Sequence, residues 1–251
     1  MFIEKVLEKF VVHWKQQLNL RGILLTGSYA VGLQNENSDV DIRLILKYSV
    51  EKSFKGLETI DEYCFSYMGR SKAETMQKFN HQFFSNVKME ARIYAVGKIV
   101  HDPFGDIAEI LKVAHVYSDT PLIKKEVSNE DLKLYMYSLS QKYQFIEKTT
   151  PEDAFYDYNY ILYLKSTLAY YAEKLNIEMN YGNDTKLFRF LIDEKYLSAY
   201  KYPEFQDKTF RNLWISALIK KDKNSLNILH NFLEENLCNF NKSTIRIEWK
   251  K

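Results

Sequence analysis

Apolar positions recur along this chain with two periods, and the first half of the sequence switches repeatedly between them. Val6, Phe10, Trp14 and Leu18 stand four apart, the spacing of one helical face, and predict a helix over residues 1–19. Ile23, Leu24 and Leu25 then form a short apolar run, read as a buried strand over 22–26. Gly27-Ser28 breaks that run, and a short helix is expected from Ser28 to about Leu33. Val40, Ile42, Leu44 and Ile45 mark a strand over 39–47, and the aromatic stretch 61–68, free of Gly and Pro, marks another. Ser71 with Glu74 three positions later has the form of a capping box, which predicts a helix running towards Tyr94. Residues 98–102 read as a further strand, closed by Pro103-Phe104-Gly105. Residues 106–117 read as a helix with Ile107, Ile110, Leu111 and Ala114 on one side.

Beyond about residue 119 only the helical period remains. Periodic apolar segments cover 128–147, 151–175, 185–200, 209–218 and 223–240, with Ser128 and Pro151 placed as helix starts. The tail, 243–249, alternates like a strand that would add to a sheet edge or to a dimer partner, so a homodimer stays open. The expected class is α+β. A small mixed β-sheet domain with flanking helices occupies residues 1–118, and an all-α helical bundle domain occupies 119–251.

Composition narrows the partners. Acids and bases are interspersed and the formal net charge is only +2, so no broad basic surface advertises a nucleic-acid partner. No apolar run is long enough to span a membrane, and the N-terminal residues read as an amphipathic helix, not a signal peptide; the expected location is cytoplasmic. Cys64 and Cys238 are too far apart in sequence to suggest a disulfide framework or a metal-ligand spacing. Only 8 Gly and 4 Pro fit long helices, and 19 Tyr and 16 Phe supply rings that pack or stack.

The chemistry concentrates in the strand over 39–47. Asp39 and Asp41 lie two apart, so they project from one face while Val40 and Ile42 turn to the core. Paired carboxylates repel each other unless a cation lies between them. Hard oxygen ligands on a rigid strand suit Mg²⁺, above all when substrate phosphates complete its coordination. Gly27 permits close approach of backbone to phosphate, and Ser28 adds a hydroxyl and an N–H.

The pattern Gly27-Ser28, ten residues, then Asp39-Val40-Asp41 resembles the signature of the DNA polymerase β-like nucleotidyltransferase superfamily, which includes aminoglycoside and lincosamide nucleotidyltransferases. The resemblance implies that the Gly27-Ser28 turn holds the triphosphate and that Asp39 and Asp41 bind two Mg²⁺ ions. It also implies a third carboxylate on the next strand. Glu62 is the acid chosen, while Ser66 stands where some relatives place the acid and Glu90 is held in reserve. Val31 departs from the family, many of whose members carry an arginine there. Arg43, two residues beyond Asp41 on the same face, either replaces that contact or simply pairs with an acid. His101 and Asp102 fall near the site region by the same resemblance, or serve the turn and cap the following helix.

In the helical half, Lys165 would reach the transferring phosphates or lie along the surface as a snorkelling lysine. Tyr156, Tyr160, Tyr163 and Tyr170 share a helical face that would stack on a flat ligand or form helix-packing core. The resulting expectation is a Mg²⁺-dependent enzyme moving AMP from ATP to a hydroxyl of a small molecule, with antibiotics the leading example by resemblance. The alternatives are an antitoxin-like nucleotidyltransferase that adenylylates a partner protein, and a degenerate module that binds nucleotide without catalysis.

Overall fold

The computed structural model describes residues 2–17, 19–48, 53–178 and 188–238. The expected strand at 243–249 lies outside them, as does Leu18. The chain divides into two compact units, Met1–Leu122 with Lys195–Tyr202, and Ile123–Glu194 with Pro203–Lys251.

In chain order the first unit contains α1 (Phe2–Lys15), β1 (Leu20–Thr26), α2 (Gly27–Val31), β2 (Val40–Leu46), β3 (Phe54–Ile60) and β4 (Tyr63–Ser71). They are followed by α3 (Lys72–Phe84), α4 (Met89–Ala95), β5 (Lys98–His101) and α5 (Asp106–Asp119). The strands form one five-stranded mixed sheet in the order β3-β4-β2-β1-β5. β2 and β4 run parallel; the other neighbours are antiparallel.

Alternation along β2 explains both faces of the sheet. Val40, Ile42 and Leu44 are fully buried with Val6 and Phe10 of α1 and with Ile23, Leu25 and Phe65. Phe10 stacks on Phe65 with ring centroids 4.8 Å apart. On the opposite face Leu24 and Ile45 pack with Phe79, Ala91, Tyr94, Ile107 and Ile110, contributed by α3, α4 and α5. Asp41 and Arg43 have the same parity as Ile45, so β2 carries charge into the face covered by α3–α5.

Asp106, the first residue of α5, ties three elements together at the Leu46 end of β2. It accepts from Arg21 Nε of β1 at 2.6 Å and from Lys72 Nζ of α3 at 3.3 Å. Burial pushes the Asp106 carboxyl up, but the hydrogen bonds from Arg21 and Lys72 outweigh it and hold the group below the usual carboxylate range. A depressed folded pKa stabilises above the unfolded value and loses that contribution as pH falls through the folded one. An Asp106→Asn chain is therefore expected to be about 1–3 kcal/mol less stable at pH 7. Denaturation curves of the two chains should converge as pH drops below about 4; a constant gap would assign the loss to something other than charge.

The segment 195–202, expected within the helical half, groups with the first unit, and Arg92 of α4 supplies the physical reason. Arg92 is 4% exposed, donates to the carbonyls of Tyr200 and Lys201, and lies over the Tyr202 ring at 4.5 Å. The remaining helices are α6 (Asn129–Lys148), α7 (Tyr156–Lys174), α8 (Arg189–Ile192), α9 (Glu194–Ala199), α10 (Lys208–Lys220) and α11 (Lys223–Asn236). In the second unit, α6, α10 and α11 start at side-chain caps, Ser128, Asp207 and Asp222. Its core holds Tyr160, Tyr163, Phe210 and Trp214, and Trp214 Nε1 donates to Leu164 O at 2.9 Å.

Candidate active site

The loop before β2 is folded by its own side chains. Asn35 N donates to Ser38 Oγ at 2.9 Å, and Asn37 N donates to Asn35 Oδ1 at 2.9 Å. These local bonds fix the turn that delivers Asp39, which is exposed immediately before Val40. Asp41 follows one strand step on and is half-buried.

Gly27 and Asp41 fit each other sterically. The register pairs Thr26 with Asp41, and Thr26 Oγ1 donates to Asp41 O at 3.2 Å. The next residue, Gly27, adopts φ +66°, and a Cβ there would lie 2.0 Å from Asp41 Oδ2. Any side chain would occupy the space of the carboxylate, so the turn and the second aspartate form one structure. Ser28 is half-buried beside it, and its carbonyl accepts from the N–H of Gly32, which closes α2 in the left-handed conformation.

A cavity of about 400 Å³ opens at Asp39, lined among others by Tyr29, Ser38, Glu62, Tyr63 and Cys64. Tyr29 and Tyr63 meet edge to face at 6.4 Å. Burial, and after it the neighbouring Tyr63, raises the Tyr29 pKa. Burial first, then the charge of Asp39 and hydrogen bonding to it, push the Cys64 thiol up.

The parallel pairing places Val40 against Phe65 and Asp41 against Ser66. The strand positions beside the two carboxylates are thus a thiol and a hydroxyl. Glu62 stands exposed in the β3–β4 turn and shares the cavity with Asp39, without reaching the β4 row. Glu90 lies on α4, 5% exposed, with Arg70 Nη1 at 2.8 Å and Arg43 Nη2 at 3.9 Å from its two oxygens. Arg43 thus stands within ion-pair distance of Glu90. Among the described residues, no group of three or more His, Cys, Asp or Glu side chains is gathered so as to hold a metal ion.

The remaining candidates sort themselves by contact. Asp102 accepts from Ile107 N at 3.2 Å and Ala108 N at 2.9 Å, which is helix-cap duty. Tyr156, Tyr160 and Tyr163 are buried core, with Tyr160 OH donating to Ala217 O and Tyr163 OH bonded to His230 Nδ1, each at 2.8 Å. Tyr170 stacks on Tyr135 at 4.2 Å. Lys165 is half-buried on α7, in the helical unit. Sequence reasoning misses the Cys64–Asp39 contact, for which only the β2–β4 register could serve as a signal.

Comparison with known proteins agrees with the motif. Residues 3–95 match the family model described as a nucleotidyltransferase domain. The crystal structure of a nucleotidyltransferase-like protein from Exiguobacterium sibiricum 255-15 is similar over 94% of this chain and 74% of that one, at 9% identity and a TM-score of 0.43. No curated protein matches the chain. The matched residues 3–95 contain the Gly27-Ser28…Asp39-Val40-Asp41 motif, so this part of the chain is similar to a nucleotidyltransferase domain.

Proposed function

We propose that the protein transfers AMP from ATP, with Mg²⁺, to a hydroxyl group of a small molecule of the aminoglycoside or lincosamide kind. The observation that carries the reading is the fit of the Asp41 carboxylate into the space left by Gly27, which holds a carboxylate beside the turn expected to meet phosphate. A small acceptor is supported by the cavity at Asp39, whose volume of about 400 Å³ is of small-molecule size.

Asp39 and Asp41 offer hard, charged oxygens from one strand face and would hold the cation. Bound there, a divalent cation supplies charge neutralisation at the phosphates and polarises the phosphoryl group. Ser28 and the backbone of the Gly27 turn would cradle the outer phosphates. In the reaction the acceptor oxygen forms a bond to the α-phosphorus, the bond from that phosphorus to the α,β-bridging oxygen breaks, and pyrophosphate leaves. The acceptor's proton passes to solvent. Tyr29 and Tyr63 wall the cavity.

A second reading, nucleotide binding without transfer, is favoured by one observation: Ser66, and not an acid, is paired with Asp41. Isothermal titration with a non-hydrolysable ATP analogue, with and without Mg²⁺, tests both. Mg²⁺-dependent binding, absent from an Asp39→Ala/Asp41→Ala chain, is expected, followed by pyrophosphate release in an acceptor screen. A folded wild-type chain that ignores the nucleotide overturns the proposal. Binding with no release from any acceptor class moves the assignment to the second reading.

A further inference from the structure

We propose that this site takes one divalent cation per bound nucleotide, not two, and that the cation enters with the triphosphate instead of being stored by the free protein. The inference rests on the nucleotide-binding reading above and concerns how the same site is loaded.

Neutral groups flank the aspartates strand by strand. On the β4 side, the parallel register places Ser66 beside Asp41, and Cys64 lines the same cavity as Asp39. On the β1 side, the residue paired with Asp41 is Thr26, whose hydroxyl donates to the Asp41 carbonyl. Beyond Thr26 comes Gly27, which has no side chain. The other acids at the cavity, Glu36 and Glu62, lie exposed in a loop and in a hairpin turn.

The covered side of the same face is electropositive. Arg43 stands two residues from Asp41 on β2, and it shares the single buried carboxylate of Glu90 with Arg70. Two guanidinium groups against one carboxylate leave an excess of one positive charge behind Asp41. Arg43 Nε is buried there without a hydrogen-bond partner among the described residues.

A pair of cations at the separation used for in-line phosphoryl chemistry, about 3.5–4 Å, brings four positive charges and requires bridging carboxylates plus terminal ligands for each ion. Asp39 and Asp41 balance only one such ion, and among the described residues no further acid stands in the strand row to bridge a second. The excess charge at Arg43 and Arg70 disfavours the second ion further. Without a nucleotide, even the first ion would have two carboxylates and water for ligands, the arrangement in which Mg²⁺ and Mn²⁺ are held weakly. The triphosphate oxygens complete the set.

The test is Mn²⁺ counting by electron paramagnetic resonance, on the full chain, with and without α,β-methylene-ATP, alongside calorimetric measurement of nucleotide binding. One bound Mn²⁺ per bound nucleotide, with at least about tenfold weaker Mn²⁺ binding when nucleotide is omitted, is the expected result. Two Mn²⁺ per nucleotide, or equally tight uptake by the free protein, overturns the proposal. Failure to bind nucleotide at all would instead strike the functional reading on which it rests. Ser66→Asp, and independently Cys64→Asp, should raise the count to two by adding the missing acid to the β4 row. If both variants fold and still take one ion, donor number is not the limit and the argument fails; if neither folds, the wild-type count decides.

Discussion

An Asp41→Asn chain is expected to lose nucleotidyl transfer by at least about a thousandfold, together with the Mg²⁺-dependent part of its nucleotide affinity. The substitution keeps the shape of the side chain that lies where a Cβ at Gly27 would be. It removes one of the two aspartate charges carried by this strand face. Stability should not suffer, because the variant also relieves the repulsion between Asp39 and Asp41; a melting temperature equal to or above that of the parent is expected. Calorimetric unfolding and pyrophosphate release, measured on the same preparation, check both halves. Transfer within tenfold of the parent would remove Asp41 from the machinery.

The basis of that expectation is legible in the sequence, since it depends on local features. A Gly-Ser break after an apolar run, and two aspartates with strand periodicity, announce themselves within about twenty residues. β1, β2 and the capping box at Ser71 follow from the same kind of signal, and the box is present in full, with the Ser71 and Glu74 side chains each accepting from the other's backbone N–H. β3 gives no such signal. Its residues, Phe54–Ile60, alternate between half-buried and exposed at a sheet edge, so neither face presents the apolar row that marks a strand. The helix expected to run unbroken to Tyr94 is two helices, α3 and α4. Ser85 caps the first, and Asn86 adopts φ +57°, a conformation that asparagine tolerates better than most residues.

Other features are illegible in principle. That β2 pairs with β4, and not with the strand that follows it, is a matter of topology, and the Cys64–Asp39 contact and the Ser66 register depend on it. The attachment of 195–202 to the first unit depends on Arg92, more than a hundred residues away in sequence. The ion pair of Arg43 likewise depends on the position of Glu90. Local pattern reveals which strand carries charge; only the assembled sheet reveals what lies beside it.

Glu90→Gln is expected to be among the most damaging single substitutions in the first unit, at about 3–5 kcal/mol. Glu90 is buried on α4, and its backbone N–H is taken by Gln82 Oε1 at 2.8 Å, so the side chain has little freedom to relax. Neutralising it leaves the guanidinium groups of Arg43 and Arg70, with side chains 13% and 18% exposed, facing each other without a counter-charge. Tyr94 lies in the same cluster; burial, and after it the Glu90 charge, pushes its hydroxyl up to about 12, so it stays neutral and supplies no replacement charge. A second consequence reaches the site. Released from Glu90, Arg43 has Asp41 two residues away on the same strand face, and an ion pair between them would compete with the cation for the carboxylate. Nucleotide affinity in Mg²⁺ should therefore fall in Glu90→Gln, and recover when Arg43→Met is added, while the stability loss is only partly reversed because Arg70 remains unpaired. Chemical denaturation of the two variants beside Mg²⁺-dependent titration separates these effects. A Glu90→Gln chain as stable as the parent would show that the buried pair holds nothing in place, and unchanged affinity would uncouple the cluster from Asp41.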